Sequence, residues 1–293
     1  MTIFDQKLEH SIQLLRKSES LALRYSDDGF FLAFSGGKDS QALYHVAKMA
    51  GVKFKAHYQL TTLDPPEVVR FIRSHYPDCS IERPRMTFSQ LCIHKKLLPT
   101  RVMRFCCAEL KETKGAGTVT LTGVRRAESA RRAQHKEVIR RSNNKQRNVG
   151  GDGETMLDQF NREREIEGVQ CIKGKDKIVI NPIIEWSDKD VWHFLNNVAK
   201  VEHCSLYDEG WHRLGCLFCP ISNKKTIIME MHRYPKYYDM MLRTIARIRA
   251  AGGLAEAEGF TDAEVFDWWV SKISFEKWKA NKTRQLTIDY DDV

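Results

Sequence analysis

At 293 residues, 42% hydrophobic and 29% charged, the chain is long enough for one domain of about 200 residues and a smaller one. No apolar run approaches the roughly 20 residues of a membrane span, so the chain reads as cytoplasmic, without a membrane partner. The net charge of +9 favours a polyanionic partner, and eight cysteines in such a chain argue for metal or redox chemistry over a disulfide framework.

Met1–Glu19 places Ile3, Leu8, Ile12 and Leu15 at helical spacing with acids and bases mixed, which predicts a helix and not a signal peptide. Gly29–Phe34 reads as a strand that empties into Ser35-Gly36-Gly37-Lys38-Asp39-Ser40. A helix follows from near Asp39 through Ala42, Leu43, Val46, Ala47 and Met49. Gly36 and Gly37 permit a tight turn that brings backbone N–H groups up to an anion, and the helix N-terminus adds partial positive charge. Lys38 supplies a full charge, and Ser35 and Ser40 supply hydroxyls, so the turn is built for phosphate. The competing reading is a glycine turn that merely starts a helix, with Asp39 or Ser40 near the N-cap.

Val52–Leu60 predicts a second strand, Thr61–Glu67 a turn, and Val68–His75 a helix entered through prolines. A short strand at Ser80–Glu82, a helix near Phe88–Lys96, a β-branched strand Thr118–Gly123 and another strand at Lys177–Ile183 follow. Trp186–Val198 reads as a helix with Ser187 at its N-cap. This alternation predicts an α/β fold with a mainly parallel sheet flanked by helices. Ligands in such sheets sit beyond the carboxyl ends of the strands, an edge that carries the SGGKDS, TTLDPPE and TGVRRAES turns. Asp64 and Gly123 thereby join the nucleotide-binding candidates. Residues 1–200 are expected to form this domain and 201–293 a smaller helical module (Lys225–Met231, Tyr237–Ala250, Asp262–Ser271), with 150–168 an insertion or mobile flap.

Cys106-Cys107 and Cys216-Leu217-Phe218-Cys219 are the second signal. A CxxC turn followed by Pro220 directs two sulfurs at one metal or cluster, and an adjacent pair can supply two more. Four thiolates suit a [4Fe–4S] cluster or a structural zinc ion, with unrelated core cysteines as the remaining reading; the vicinal pair favours the cluster, being awkward around a single tetrahedral ion. Cys79, Cys92 and Cys171 read as core residues, while Cys204 remains a spare ligand or sulfur carrier.

The turn SGGKDS resembles the PP-loop of the ATP-pyrophosphatase superfamily, whose members cleave ATP between the α- and β-phosphates. With TTLDPPE, RFCCAELK, TGVRRAESARR, NPIIEW before Asp190-Val191-Trp192, and LYDEGWHRLGCLFCP in order over roughly residues 20–235, the chain resembles the phosphoadenosine-phosphosulfate (PAPS) reductase family within that superfamily. The cysteine pattern is similar to its cluster-bearing branch. The resemblance implies an adenine nucleotide alpha hydrolase-like fold, with ATP and Mg²⁺ as cofactors. It puts Ser35, Gly36, Gly37, Lys38, Asp39 and Ser40 on nucleotide phosphates. Arg125, Glu128 and Arg132 lie beside the nucleotide, and Lys38, Asp39, Arg125 and Arg132 carry catalysis. Cys106, Cys107, Cys216 and Cys219 are then metal ligands.

One departure matters. Sulfonucleotide reductases use a catalytic cysteine in a C-terminal tail, and here no cysteine follows Cys219. Relatives with a PP-loop and a cluster but no such cysteine resemble ATP pyrophosphatases of sulfur insertion, which act in tRNA thiolation and DNA phosphorothioation. That resemblance implies a nucleic acid as acceptor and a cysteine desulfurase or a thiol reductant as partner. Two alternatives remain: reduction of a sulfonucleotide by an external thiol, and a non-catalytic nucleotide- or DNA-binding module.

Arg125–Arg147 holds nine basic residues against Glu128 and Glu137. It reads either as a solvated helix face beside the nucleotide or as a phosphate-tracking surface for DNA or RNA. The tryptophans are expected in packing. His203, His212 and His232 are candidate acids or bases whose commoner role is structural.

Overall fold

Short apolar runs set the frame. Phe30–Phe34 (β1) buries Phe30, Leu32 and Phe34 by strict alternation. Strands Phe54–Gln59 (β2), Ser80–Glu82 (β3), Val119–Leu121 (β4) and Lys177–Ile180 (β7) pair with it directly or through one another, all in parallel. In the computed structural model, which describes residues 1–130, 132–142, 145–147 and 176–291, they form one sheet with Val138–Ser142 (β5) and Lys145–Arg147 (β6). The order is β3-β2-β1-β4-β7-β5-β6. The expected flap at 150–168 and Cys171 lie outside the described residues.

The α/β architecture agrees with expectation. The basic stretch does not read as a helix face: within it, residues 126–128 and 132–134 form 3₁₀ turns and β5 pairs antiparallel with β7 and β6. Val138 and Ile139 are fully buried, and that burial draws an otherwise basic segment onto the sheet edge.

Helices cover the sheet because a parallel sheet needs both faces shielded. Ile3–Leu23 (α1) starts from a capping box between Thr2 and Asp5 and buries Leu14, Leu15 and Leu21. Lys38–Ala50 (α2) buries Leu43, Val46 and Ala47 and stops at left-handed Gly51. Pro66–His75 (α3) follows β2. Asp188–His193 (α6) starts at Ser187, whose side chain takes the Asp190 N–H as expected, and continues as a π-helical segment to Ala199. Trp186 is 1% exposed, with its indole N–H donating to Ser11 Oγ.

The chain divides into two compact units. The first comprises Met1–Gln59, Pro66–Glu82 and Glu112–Leu214, and holds the sheet. The second comprises Leu60–Pro65, Arg83–Lys111 and Gly215–Val293. It contains Phe88–Lys95 (α4), the turn Phe105–Cys107 (α5) running into a π-helical turn that starts at Ala108, and helices Lys224–Arg233 (α7), Pro235–Ala250 (α8), Asp262–Ser271 (α9) and Phe275–Asp291 (α10). This partition differs from a single cut at residue 200, since two earlier segments fold with the C-terminal helices. Among the described residues no helix is long and apolar enough to cross a membrane.

Candidate functional site

In the first unit the strand order reverses between β1 and β4, and such a switch point opens a crevice beyond the strand ends. The turn after β1 fills this place. Gly36 takes φ +71°, which a side chain would resist. Ser40 Oγ donates to the Gly37 carbonyl at 2.8 Å and accepts the Ser35 N–H at 3.1 Å, while the two hydroxyls lie 3.0 Å apart. The serines therefore brace the loop. Gly37 is the N-cap of α2 and offers no side-chain cap, so the helix starts without one.

The end of β4 approaches the same turn. A Cβ on Gly123 would stand 2.9 Å from the Asp39 carbonyl oxygen, so glycine is required for the contact. Two residues on, Arg125 is 2% exposed and donates to Asp39 Oδ1 at 2.7 Å, Asp188 Oδ1 at 3.0 Å and the Trp186 carbonyl at 3.2 Å. Lys38, also buried, reaches Asp188 at 3.1 Å and Asp39 at 3.3 Å. Two cations thus meet at a helix N-terminus that has no cap from its own N-cap residue, each held by the same two carboxylates. Partial desolvation opposes the charge on Asp188, but Lys38 and Arg125 hold its carboxyl below the ordinary value. Glu128 pairs with Arg132 and accepts the Arg125 N–H, so these predicted residues join the cradle through its backbone.

Sequence reasoning missed two members. Asp188 hides in the first turn of a capped helix, and Tyr207 hides in the LYDEGWHR stretch. Tyr207 Oη accepts the Lys38 N–H at 2.9 Å, and burial pushes its phenol pKa up. Trp192 and His203 pack edge-on against its ring. His203 also pairs with Asp208 at 3.0 Å, whereas His212 and His232 are exposed.

The second unit gathers the four predicted cysteine ligands. Cys106 donates to Cys107, which lowers the Cys107 pKa to about 6 against the cost of burial, with Arg104 helping from 3.2 Å. The charges of Cys107, Cys216 and Cys219 all bear on Cys106, so the four sulfurs share one neighbourhood. Burial raises Cys219. Lys111 stands against Cys216 and Asp64; burial opposes its charge, but its interactions with Cys216 and Asp64 keep its pKa above the ordinary lysine value. Asp64 belongs to this unit, where its carboxylate takes the Thr61 and Thr62 N–H groups at 2.6 and 3.1 Å. Among the described residues, no three His, Cys, Asp or Glu side chains close on a single metal ion. The donor set is four thiols supported by Arg104 and Lys111, a chemistry that fits a thiolate-bound group. Cys79, Cys92 and Cys204 are buried, the last in the first unit.

The sequence pattern of the phosphoadenosine phosphosulfate reductase domain matches residues 29–222. An uncharacterised protein of Methanocaldococcus jannaschii is 30% identical over 98 residues, 33% of this chain. The match spans only 23% of that relative. Candida auris phosphoadenylyl-sulfate reductase, solved with phosphate, aligns at a TM-score of 0.41 with 15% identity, over 74% of this chain and 96% of its own. FMN adenylyltransferase of Candida glabrata, solved with ATP, aligns at 0.46 with 14% identity, over 78% and 71%.

Proposed function

The chain belongs to the phosphoadenosine phosphosulfate reductase domain family, and from that premise we propose an ATP pyrophosphatase that activates an acceptor, most directly a nucleic acid, for sulfur insertion. The observation that carries this reading is the meeting of Lys38 and Arg125 at the N-terminus of α2. A triphosphate tail at that point gains two charges and the partial positive charge of the helix N-terminus. The Asp39 carboxylate, now bonded to both cations, is the group that would share Mg²⁺ with the phosphates.

An acceptor oxygen attacks the α-phosphorus, the bond to the β-phosphate bridge breaks, and pyrophosphate carries away the electron pair. Lys38 and Arg125 stabilise the charge that develops on it. Sulfur at the sulfide oxidation level then bonds to the activated acceptor atom, and AMP departs with the original oxygen. The sum is acceptor oxygen plus ATP plus hydrogen sulfide ion giving thio-acceptor, AMP and pyrophosphate, with no reductant consumed. Cys106, Cys107, Cys216 and Cys219 would hold a [4Fe–4S] cluster, in preference to zinc, and a bound cluster would orient or polarise the sulfur donor. A cysteine desulfurase suits the role of donor together with a thiol reductant: its persulfide sulfur reaches the sulfide level as two thiols are oxidised to a disulfide, before the transfer summed above.

Reduction of a sulfonucleotide is the alternative reading. Family membership keeps that alternative, with an external thiol as nucleophile, as the second reading. The deciding experiment measures pyrophosphate release from ATP with and without DNA or tRNA. Release stimulated by nucleic acid is expected, with steep salt dependence. Sulfite formed from adenylyl sulfate and thioredoxin would overturn the proposal, and ATP binding without either product would leave a non-catalytic binding module.

A further inference from the structure

Helix α7 buries one acid that the proposed chemistry does not use. Glu230 is 3% exposed and accepts the Phe218 N–H at 2.6 Å. Phe218 sits between Cys216 and Cys219 with φ +53°, a left-handed conformation that a bulky residue holds only when its surroundings impose it. Its ring is fully buried and stands edge-on to Phe266, with centroids 5.6 Å apart. The neighbouring backbone is tied as well: the Leu217 N–H donates to the Leu63 carbonyl at 2.7 Å, and the Ser222 N–H to the Cys219 carbonyl at 2.8 Å. Within this turn the Phe218 N–H is met by a carboxyl oxygen and the Ile221 N–H by the Cys219 sulfur.

We propose that Glu230 is the positioning residue of the cysteine turn: its carboxyl oxygen holds Phe218 in the left-handed conformation that turns Cys216 and Cys219 toward Cys106 and Cys107. The inference rests on reading those four cysteines as one donor set. Burial raises the Glu230 carboxyl to about 7 against the pull of the Phe218 N–H, so the fold retains an acid where it is costly. A carboxyl in either protonation state accepts the N–H, so the clamp needs the acceptor and not the charge. Losing it would leave a buried amide without a partner and the turn free to leave the left-handed region.

The test uses the full chain with Glu230→Gln, which keeps an acceptor oxygen, and Glu230→Leu, which fills the space without one. Two quantities are read: iron per chain after anaerobic purification, and the rate at which phenylarsine oxide captures the Cys216–Cys219 pair in metal-free protein. The Gln variant is expected to match the wild type, and the Leu variant to lose about tenfold or more in iron affinity and capture rate, the scale on which ligand-supporting partners act. Cooperative thermal unfolding verifies that the Leu variant is folded; should it not fold, Glu230→Asp, which withdraws the acceptor by one methylene, replaces it with the same expectation. If the wild type binds no metal, the donor-set reading fails, while the capture rates still decide the clamp. A Leu or Asp variant that captures arsenical at the wild-type rate overturns the proposal.

Discussion

Asp188 shows how much of the cradle depends on pairs far apart in sequence. Lys38 and Arg125 are legible in a single sequence because lysine after two glycines and arginine after a strand-ending glycine are themselves anion signals. Their carboxylate partner is not, since Arg125 and Asp188 meet only through β4 and β7. Lys38 and Arg125 face Asp39 and Asp188, so the cradle balances two cations with two carboxylates. Asp188→Asn frees one positive charge, and metal-free pyrophosphate should bind about threefold to tenfold tighter at low salt, with the gain shrinking as salt rises. Calorimetric titration measures it; unchanged or weaker binding would mean that Asp188 does not compete with the anion. Glu230 supplies a second residue-scale expectation. Its folded pKa of about 7 lies above the ordinary glutamate value near 4.5, so the folded state keeps a proton that the unfolded state has released between those values. Its contribution is therefore fully present below about pH 4.5 and lost as pH rises through 7, by about 3 kcal/mol in all. Urea unfolding of wild type and Glu230→Gln at pH 5 and pH 8 should show the wild type losing most of that, about 2.5 kcal/mol, relative to the variant; parallel pH profiles would contradict it.

Strand and helix signals were strong where apolar spacing was local and weak where pairing was distant. β1, β4 and β7 announce themselves as short apolar or β-branched runs, and their chain-order alternation with helices implies a parallel sheet. β5 and β6 do not, because their residues are mostly basic and their place depends on β7, some 40 residues away in sequence. The junction between β4 and α2 is the element contact on which the cradle turns. An ideal Cβ at position 123 would lie 2.9 Å from one backbone atom and 3.0 Å from another in Asp39, and backbone cannot yield as a flexible side chain can. Gly123→Ala should therefore push the first turn of α2 away from β4, costing about 1–3 kcal/mol of stability. A displacement near 1 Å of Lys38 and Asp39 should reduce ATP turnover by about a hundredfold. Thermal unfolding and pyrophosphate release read the two effects. A fully active, fully stable variant would show that the junction tolerates a side chain.

The partition of the whole chain could not be read from composition, because the second unit is assembled from three separated segments. Thr61–Asp64 and Phe88–Lys95 sit in the part of the sequence that looks like sheet connections, yet they fold with the C-terminal helices. The reason is visible in their partners. Ser89 Oγ lies 2.7 Å from Thr244 Oγ1 on α8, and the Trp269 indole N–H on α9 donates to the Pro99 carbonyl at 2.6 Å. Phe88, Leu91, Cys92 and Leu98 are each under 5% exposed. A cut placed by sequence near residue 200, or one at Leu214, would keep these side chains and discard the helices that share their unit. At about 1.5–3 kcal/mol for each of the three larger side chains, their exposure would forfeit roughly 5–9 kcal/mol, comparable with the whole stability of a domain. A chain ending at Leu214 should consequently bind a hydrophobic dye strongly and aggregate, even though it retains the entire sheet and every residue of the Lys38–Arg125 cradle. Dye fluorescence and light scattering measure this directly. A soluble, monomeric 1–214 fragment that binds no dye would show that Arg83–Lys111 finds its burial within the first unit, and the partition into two units would have to be redrawn.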